Sequence, residues 1–212
     1  MPEPDQRKIS YARLRLREQL DEWRNLQLSV FPKVMPEFET KVSNSIYRTD
    51  PEEEDLLLPS AFSDSHRRYL GLELAAKAEQ ELRKGRAHEH LDEVRTAIQT
   101  YNHHIALKAK EVRSQRHITR ARNIINRLVA DIRKHALHYN RTREALLLLG
   151  HPADDTVLRE LKDTDLWAKN AALPAKLGDS RKADPWLFHV ACPSGISLAE
   201  KQGFQHESEH FD

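Results

Sequence analysis

The sequence predicts an all-α protein, an elongated long-helix hairpin or coiled-coil-like bundle with an irregular C-terminal region, and three observations carry that prediction. From Arg86 to Leu149 no Gly or Pro interrupts the chain. Two apolar seams with alternating four- and three-residue steps succeed one another there. The first reads Ala87, Leu91, Val94, Ile98, Tyr101, Ile105, Lys108 and Val112; the second reads Ile118, Ala121, Ile125, Leu128, Ile132, His135, Tyr139, Thr142, Leu146 and Leu149. Such spacing gathers each set on one narrow helical stripe that must pack against a partner helix. The third observation is composition: 39% of the 212 residues are hydrophobic and 32% charged, against about 45–50% and about 25% in ordinary globular domains. Thin helical bodies keep much of their surface in water.

Residues 1–31 are expected to form an N-terminal amphipathic helix, running from about Lys8 to Phe31. Ile9, Ala12, Leu16, Leu20, Trp23, Leu26 and Val30 fall on one side; Arg13, Arg15, Arg17 and Glu18 fall on the other. Pro32 and Pro36 end it. Residues 32–63 read as an acidic, Pro-containing linker, expected to be mobile, with one short helix near Phe38 to Ile46.

Residues 64–150 are expected to form a long-helix hairpin or bundle. Ser63 stands as N-cap of a helix whose buried stripe would be Leu70, Leu74, Ala78 and Leu82, and Gly85 is placed to stop it. The short Arg86-Ala87 connection then favours an antiparallel neighbour. Within the Gly- and Pro-free stretch the two seams slip phase around Ser114 to His117, because Val112 and Ile118 are six residues apart where a clean repeat gives seven. A kink, a tight hairpin or a stutter absorbs such a slip. Of these the hairpin, with two arms of about 40 Å, lets one seam bury the other within one chain.

Residues 151–212 are expected to hold a short helix and an irregular tail. Asp154 or Asp155 caps the helix to about Leu161, and Pro174, Gly178, Pro185, Pro193, Gly195 and Gly203 break up the remainder of the chain. Trp167, Leu173, Trp186, Leu187, Phe188 and Val190 are expected to dock on the helices, since large aromatic surfaces rarely stay in water.

The net charge of +1 supplies no global field. Its distribution is uneven. From Glu37 to Asp64 eight acids face Lys41 and Arg48 alone; from Lys108 to Arg143 eleven bases face Glu111 and Asp131 alone. Arg113, Arg120, Arg127, Lys134 and Arg141 recur every seven residues and, with Arg116, make a rail on the side turned away from the second seam. Two readings of this basic face from Arg113 to Arg143 stand side by side. It tracks a nucleic-acid backbone through salt-dependent, sequence-blind contacts, or it is a solvated helix face whose charges pair with the acidic linker.

No residues are assigned to catalysis, to a cofactor or to a metal. His206-Glu207-Ser208-Glu209-His210 matches the zinc-protease pattern H-E-x-x-H, yet only Phe204 and Phe211 flank it as apolar company and no ligand lies downstream. His135 and His138 lie on or beside the second seam, but the Glu-x-x-His spacing of bundle metal sites is absent at both. His189 and Cys192 supply two ligands at most. No G-x-S-x-G elbow and no phosphate-cradling glycine loop occurs. Cys192 is the only cysteine, which excludes an intramolecular disulfide and suits a reducing compartment or a protein indifferent to redox. The opening Met1-Pro2-Glu3-Pro4-Asp5 lacks the features of a signal peptide, and the longest apolar run, Ala145 to Leu149, falls far short of the roughly 20 residues that span a bilayer. The expectation is a soluble, intracellular chain with no membrane partner and no small-molecule substrate; nucleus and cytoplasm both stay open.

Four segments carry a further likeness. They are Leu58-Pro59-Ser60-Ala61-Phe62-Ser63 leading to Leu70-Gly71-Leu72; Glu81-Leu82-Arg83-Lys84-Gly85-Arg86-Ala87 through Val94-Arg95-Thr96-Ala97-Ile98; Arg141-Thr142-Arg143-Glu144-Ala145-Leu146-Leu147-Leu148-Leu149-Gly150; and Gly178-Asp179-Ser180-Arg181-Lys182-Ala183-Asp184-Pro185-Trp186. In order and spacing, across about Tyr11 to Gly195, they resemble the C-terminal helical region of Kyakuja-Dileera-Zisupton (KDZ) type transposases of mushroom-forming fungi. The resemblance implies a helical, transposase-derived region without the RNase H-like catalytic core or the cysteine cluster, both of which precede it in that family. It therefore assigns no catalytic residue here, and Asp154, Asp155 and Asp184 are not read as a metal triad. Leu187-Phe188 stands where the family often has two aromatics. The expected function is a non-enzymatic helical interaction module that packs against a helical protein partner or itself; the alternative is a nucleic-acid-binding helical domain.

Overall fold

The computed structural model describes residues 4–34, 36, 50–111, 115–170 and 183–190. Those residues are all-α, with no strand among them. Four α-helices are described: α1 (Pro4–Val30), α2 (Asp64–Leu70), α3 (Glu73–Glu111) and α4 (Gln115–Leu148). Short 3-10 turns occur at Pro32–Val34, Pro51–Glu53, Pro59–Ala61, Asp163–Asp165 and Trp186–Phe188. The chain divides into two compact units, Met1–Glu81 with Leu148–Gly150, and Leu82–Leu147 with His151–Asp212.

In the first unit, Pro32 stops α1 as expected, and its start lies at Pro4 rather than near Lys8. The segment 50–63 is not a loose linker. Leu57 and Phe62 join Val34, Leu70 and Leu72 in a buried cluster against Leu28 and Phe31. Leu57 takes φ 48, a left-handed conformation that costs a non-glycine residue about 1 kcal/mol or more. Its side chain is 2% exposed and its carbonyl accepts a 2.7 Å hydrogen bond from Gln27 Nε2, so both ends of the residue are held. The short helix expected at Phe38 to Ile46 lies outside the described residues.

Ser63 caps α2, accepting from the His66 N–H at 3.4 Å. The stop, however, is Gly71 and not Gly85. Gly71 takes φ 74, and the Leu72 N–H closes onto the Arg67 carbonyl at 2.8 Å. This is the left-handed helix end that glycine adopts at least cost. Leu70 and Leu72 on either side of it are buried, which anchors the stop. Gly85 instead lies inside α3, and no turn occurs at Arg86-Ala87. Of the stripe expected to be buried, only Leu70 is; Leu74 and Leu82 are 81% and 76% exposed. Arg67, itself buried, donates to the Phe62 and Leu148 carbonyls at 2.5 and 3.1 Å, tying three stretches of this unit together.

The second unit is the long-helix pair with a third layer laid on it. α3 and α4 run antiparallel: Glu93 meets His135, and His90 stacks on His138, so the paired residue falls as its partner rises. The connection at 112–114 lies outside the described residues. Ala87, Leu91, Val94 and Ile98 of the first seam and Ile132, Tyr139 and Leu146 of the second form one core with Ala136. Leu158, Leu161 and Leu187 seal it from outside. The helix expected after Asp155 is absent. Asp155 Oδ1 accepts from the Val157 and Leu158 N–H groups at 2.7 and 3.3 Å, a side-chain turn that competes with a helix start, and the chain runs on irregularly to Leu161.

That irregular layer is fixed by side chains reaching up from the helices. Arg95, 3% exposed, donates to the Leu187 carbonyl at 2.6 Å and the Val190 carbonyl at 2.8 Å. Tyr139 donates to the Arg159 carbonyl at 2.7 Å, and Asn140 bonds both backbone groups of Leu161. Trp186 packs beside Tyr139, with Arg159 over its ring. The expected docking of Trp186, Leu187 and Phe188 is thus seen, while Leu173 lies outside the described residues. No helix among the described residues is long and apolar enough to cross a membrane.

Candidate nucleic-acid interface

The face of α4 opposite the core is where the basic residues collect. The core side is set by Ile132, Ala136, Tyr139, Thr142 and Leu146, all buried. Residues seven apart drift by only about 20° on a straight helix, so Arg120, Arg127, Lys134 and Arg141 keep to one line. All four are exposed. Arg113 lies outside the described residues, and of Arg116 the structure describes the helical backbone only.

Arg122 and Arg133 are exposed as well but lie off that line: Arg133 is one heptad from Asn140, which bonds Leu161, and it lines a cleft with Asp163, Leu166 and Trp167, while Arg122 is two heptads from the buried Ala136. Arg143 also leaves the interface. It points toward the third layer, donating to the Leu158 carbonyl at 2.8 Å and the Ala153 carbonyl at 3.2 Å. Two residues beyond Arg141 is a rotation of about 200°, which carries a side chain away from the outer face. Asp131, four residues from Arg127, and Glu144, three from Arg141, are exposed acids on the same helix.

The acidic stretch is engaged elsewhere. Arg13 pairs with Asp50 at 2.6 Å and Glu52 at 2.5 Å, Arg17 with Glu54 at 3.6 Å, and Arg24 with Glu54 more closely still. The hydrogen bond from Arg13 holds the Glu52 carboxyl below the usual carboxylate range, and the same bond raises Arg13. None of Arg120, Arg122, Arg127, Arg133, Lys134 and Arg141 makes an ion pair with a described residue.

Where α4 crosses α3, its orientation is locked by a histidine–carboxylate cluster. Glu93 Oε2 lies 2.8 Å from His90 Nδ1 and 3.0 Å from His135 Nδ1. Burial raises the Glu93 carboxyl, but the hydrogen bonds from His90 and His135 outweigh it and the net shift is downward. Burial, then the neighbouring charges of His90, Lys134, Arg141 and His135, lower His138. This cluster is a cross-brace. No group of three His, Cys, Asp or Glu side chains among the described residues could hold a metal ion. The His206 to His210 motif and Cys192 lie outside those residues. A cleft of about 300 Å³ beside the pair is lined by Ile98, Tyr101, Val129, Ile132, Leu166 and Trp167, an apolar gap in the packing with Arg133 and Asp163 at its margin. Comparison with known protein families, curated protein sequences and solved structures returns no match to this chain.

Proposed function

We propose that the chain is a non-enzymatic helical binding module whose partner is the phosphate backbone of nucleic acid, held along the outer face of α4. One observation carries this reading: four exposed cations, Arg120, Arg127, Lys134 and Arg141, share that face while Asp50, Glu52 and Glu54 are already paired with α1. Cations lined up on one helix with no ion pair among the described residues are the arrangement that gains from releasing counterions off a polyanion. The KDZ-like wording supports the same reading, since a transposase acts on DNA; kinship with that family is part of the proposal. The expected binding is sequence-blind, because arginines spaced along one helix face address phosphates and carry no base pattern.

Titration of fluorescent duplex DNA tests it. With four phosphate contacts, affinity should fall about 10²-fold between about 50 and about 200 mM salt. Arg120→Ala combined with Arg127→Ala should flatten the logarithmic salt slope by about 2. Failure to bind at low salt ends the proposal.

A further inference from the structure

The first helix carries a second surface. Ile9, Ala12, Leu16, Gln19, Trp23, Leu26 and Val30 succeed one another at steps of three and four residues, the a and d positions of three heptads. α1 does not bury this seam. Ile9 is 53% exposed, Trp23 41%, and Leu26 and Val30 65% each. The helix is held to its own chain by the flank beside it: Arg13 pairs with Asp50 and Glu52, Leu20 is buried, and Gln27 donates to the Leu57 carbonyl. These three residues are the e positions of the same heptads. Taken up in cis, they leave Ile9, Ala12, Gln19, Leu26 and Val30 of the seam and Arg15 and Glu22 of the g line exposed; Leu16 is half-buried, and Trp23, 41% exposed, donates its indole N–H to the Leu56 carbonyl at 3.4 Å.

The g positions, Lys8, Arg15, Glu22 and Ser29, decide how a second seam could sit there. In a parallel pair each g side chain faces the partner's e flank, so Arg15 would meet Leu20 and Glu22 would meet Gln27, and neither gains an opposite charge. In an antiparallel pair g faces g. The register that sets Ile9 against the partner's Leu26 sets Arg15 against the partner's Glu22, and by symmetry does so twice. It also places the small Ala12 opposite the large Trp23, and Leu16 opposite Gln19, so wide and narrow side chains alternate across the seam. Shifting by one heptad brings Glu22 onto its own copy and loses both pairs. Arg15 and Glu22 make no ion pair with a described residue.

From this size and charge complementarity we infer that α1 is a self-association surface: two copies of the chain pair through antiparallel α1 helices, in the register of Ile9 on Leu26 and Arg15 on Glu22. The seam covers about three heptads, which is short for a coiled coil, so the dimer forms in a concentration-dependent way.

Sedimentation equilibrium of the full chain over about 1 to about 100 µM reads this directly, with no nucleic acid present. A monomer–dimer equilibrium is expected. Leu26→Glu or Ile9→Glu should leave a monomer, with helicity unchanged because both positions face solvent. Arg15→Glu or Glu22→Arg should each weaken the dimer about tenfold, since two symmetric pairs turn repulsive together; the double exchange should restore it. A chain that stays monomeric at 100 µM overturns the inference. So does a dimer that ignores Leu26→Glu, or one in which the double exchange fails to rescue the singles. Because α4 is untouched in every variant, these outcomes are independent of DNA binding.

Discussion

The two ends of the α3–α4 pair carry the same periodic seam and bury it differently. At one end, Ala87, Leu91, Val94, Tyr139 and Leu146 are wholly buried. At the other, Tyr101, Ile105, Ile125 and Leu128 are half-buried and Ile118 is 42% exposed. The difference is the third layer. Leu158, Leu161 and Leu187 complete the first end, and among the described residues that layer's farthest hydrogen bonds reach Asn102, from Asn170 at 2.7 Å and to Ala168 at 3.2 Å. Two helices meet along a line and cannot enclose a side chain on all sides; a third element must close the groove. The lesson is that heptad spacing sets which residues face a neighbour, while a separate segment sets how deeply they are buried.

The largest effect expected from this contrast is on stability. Leu91→Ala should cost about 2–5 kcal/mol, because it empties a sealed site, whereas Leu128→Ala should cost less than about 1.5 kcal/mol. Denaturant unfolding of both variants measures the ratio, and equal losses would show that both ends are equally closed. Next comes the layer itself. Arg95→Ala removes charge-assisted bonds to two carbonyls and should cost about 2–3 kcal/mol. Hydrogen exchange should then show residues 183–190 losing protection while α3 and α4 keep theirs.

Acid should weaken the closed end, by an amount smaller than either truncation. Burial first, then the charge of Arg95, lowers His88, and burial with its cationic neighbours lowers His138. Both therefore bind a proton more weakly folded than unfolded. Their contribution to stability is whole above about pH 6.5 and is lost as pH falls through that value toward their folded values. Glu93 and Asp155, each held low by hydrogen bonds that outweigh burial, add a second loss below about pH 4.3. Thermal melting across this range should show Tm falling in two stages, and His88→Asn with His138→Asn should remove most of the first.

The smallest effect is stabilising. Gly85 lies within α3 with nothing near the place a Cβ would take. Gly85→Ala should add about 0.5–1 kcal/mol. Gly71→Ala should lose about 1 kcal/mol or more, since φ 74 strains an alanine. Melting temperatures moving in opposite directions would confirm that one glycine ends a helix and the other is merely carried by it.

These two glycines also mark where sequence reading reached its limit. Gly85 precedes a new seam and looks like punctuation, yet the packing of Ala87 and Leu91 carries the helix through it at a cost of about 1 kcal/mol. The basic rail was legible because a heptad keeps residues on one line. Its membership was not, since Arg143 is drawn inward by carbonyls of the third layer, and nothing local to Arg143 announces them.

Sequence alone determined the all-α class, the end of α1 at Pro32 and the docking of Trp186 to Phe188, because periodicity, proline and aromatic burial act locally; that the two seams meet antiparallel, where a kink or a stutter was also open, was decided by the fold. Tertiary structure alone decided that Asp50, Glu52 and Glu54 pair with arginines of α1. It also decided that Arg95 and Tyr139 hold an irregular layer over one end of the seams. Those outcomes join residues as far apart as Arg95 and Val190, and charge or hydrogen-bond partners at such separation are selected by which surfaces the fold brings together, a choice that spacing along the chain does not encode.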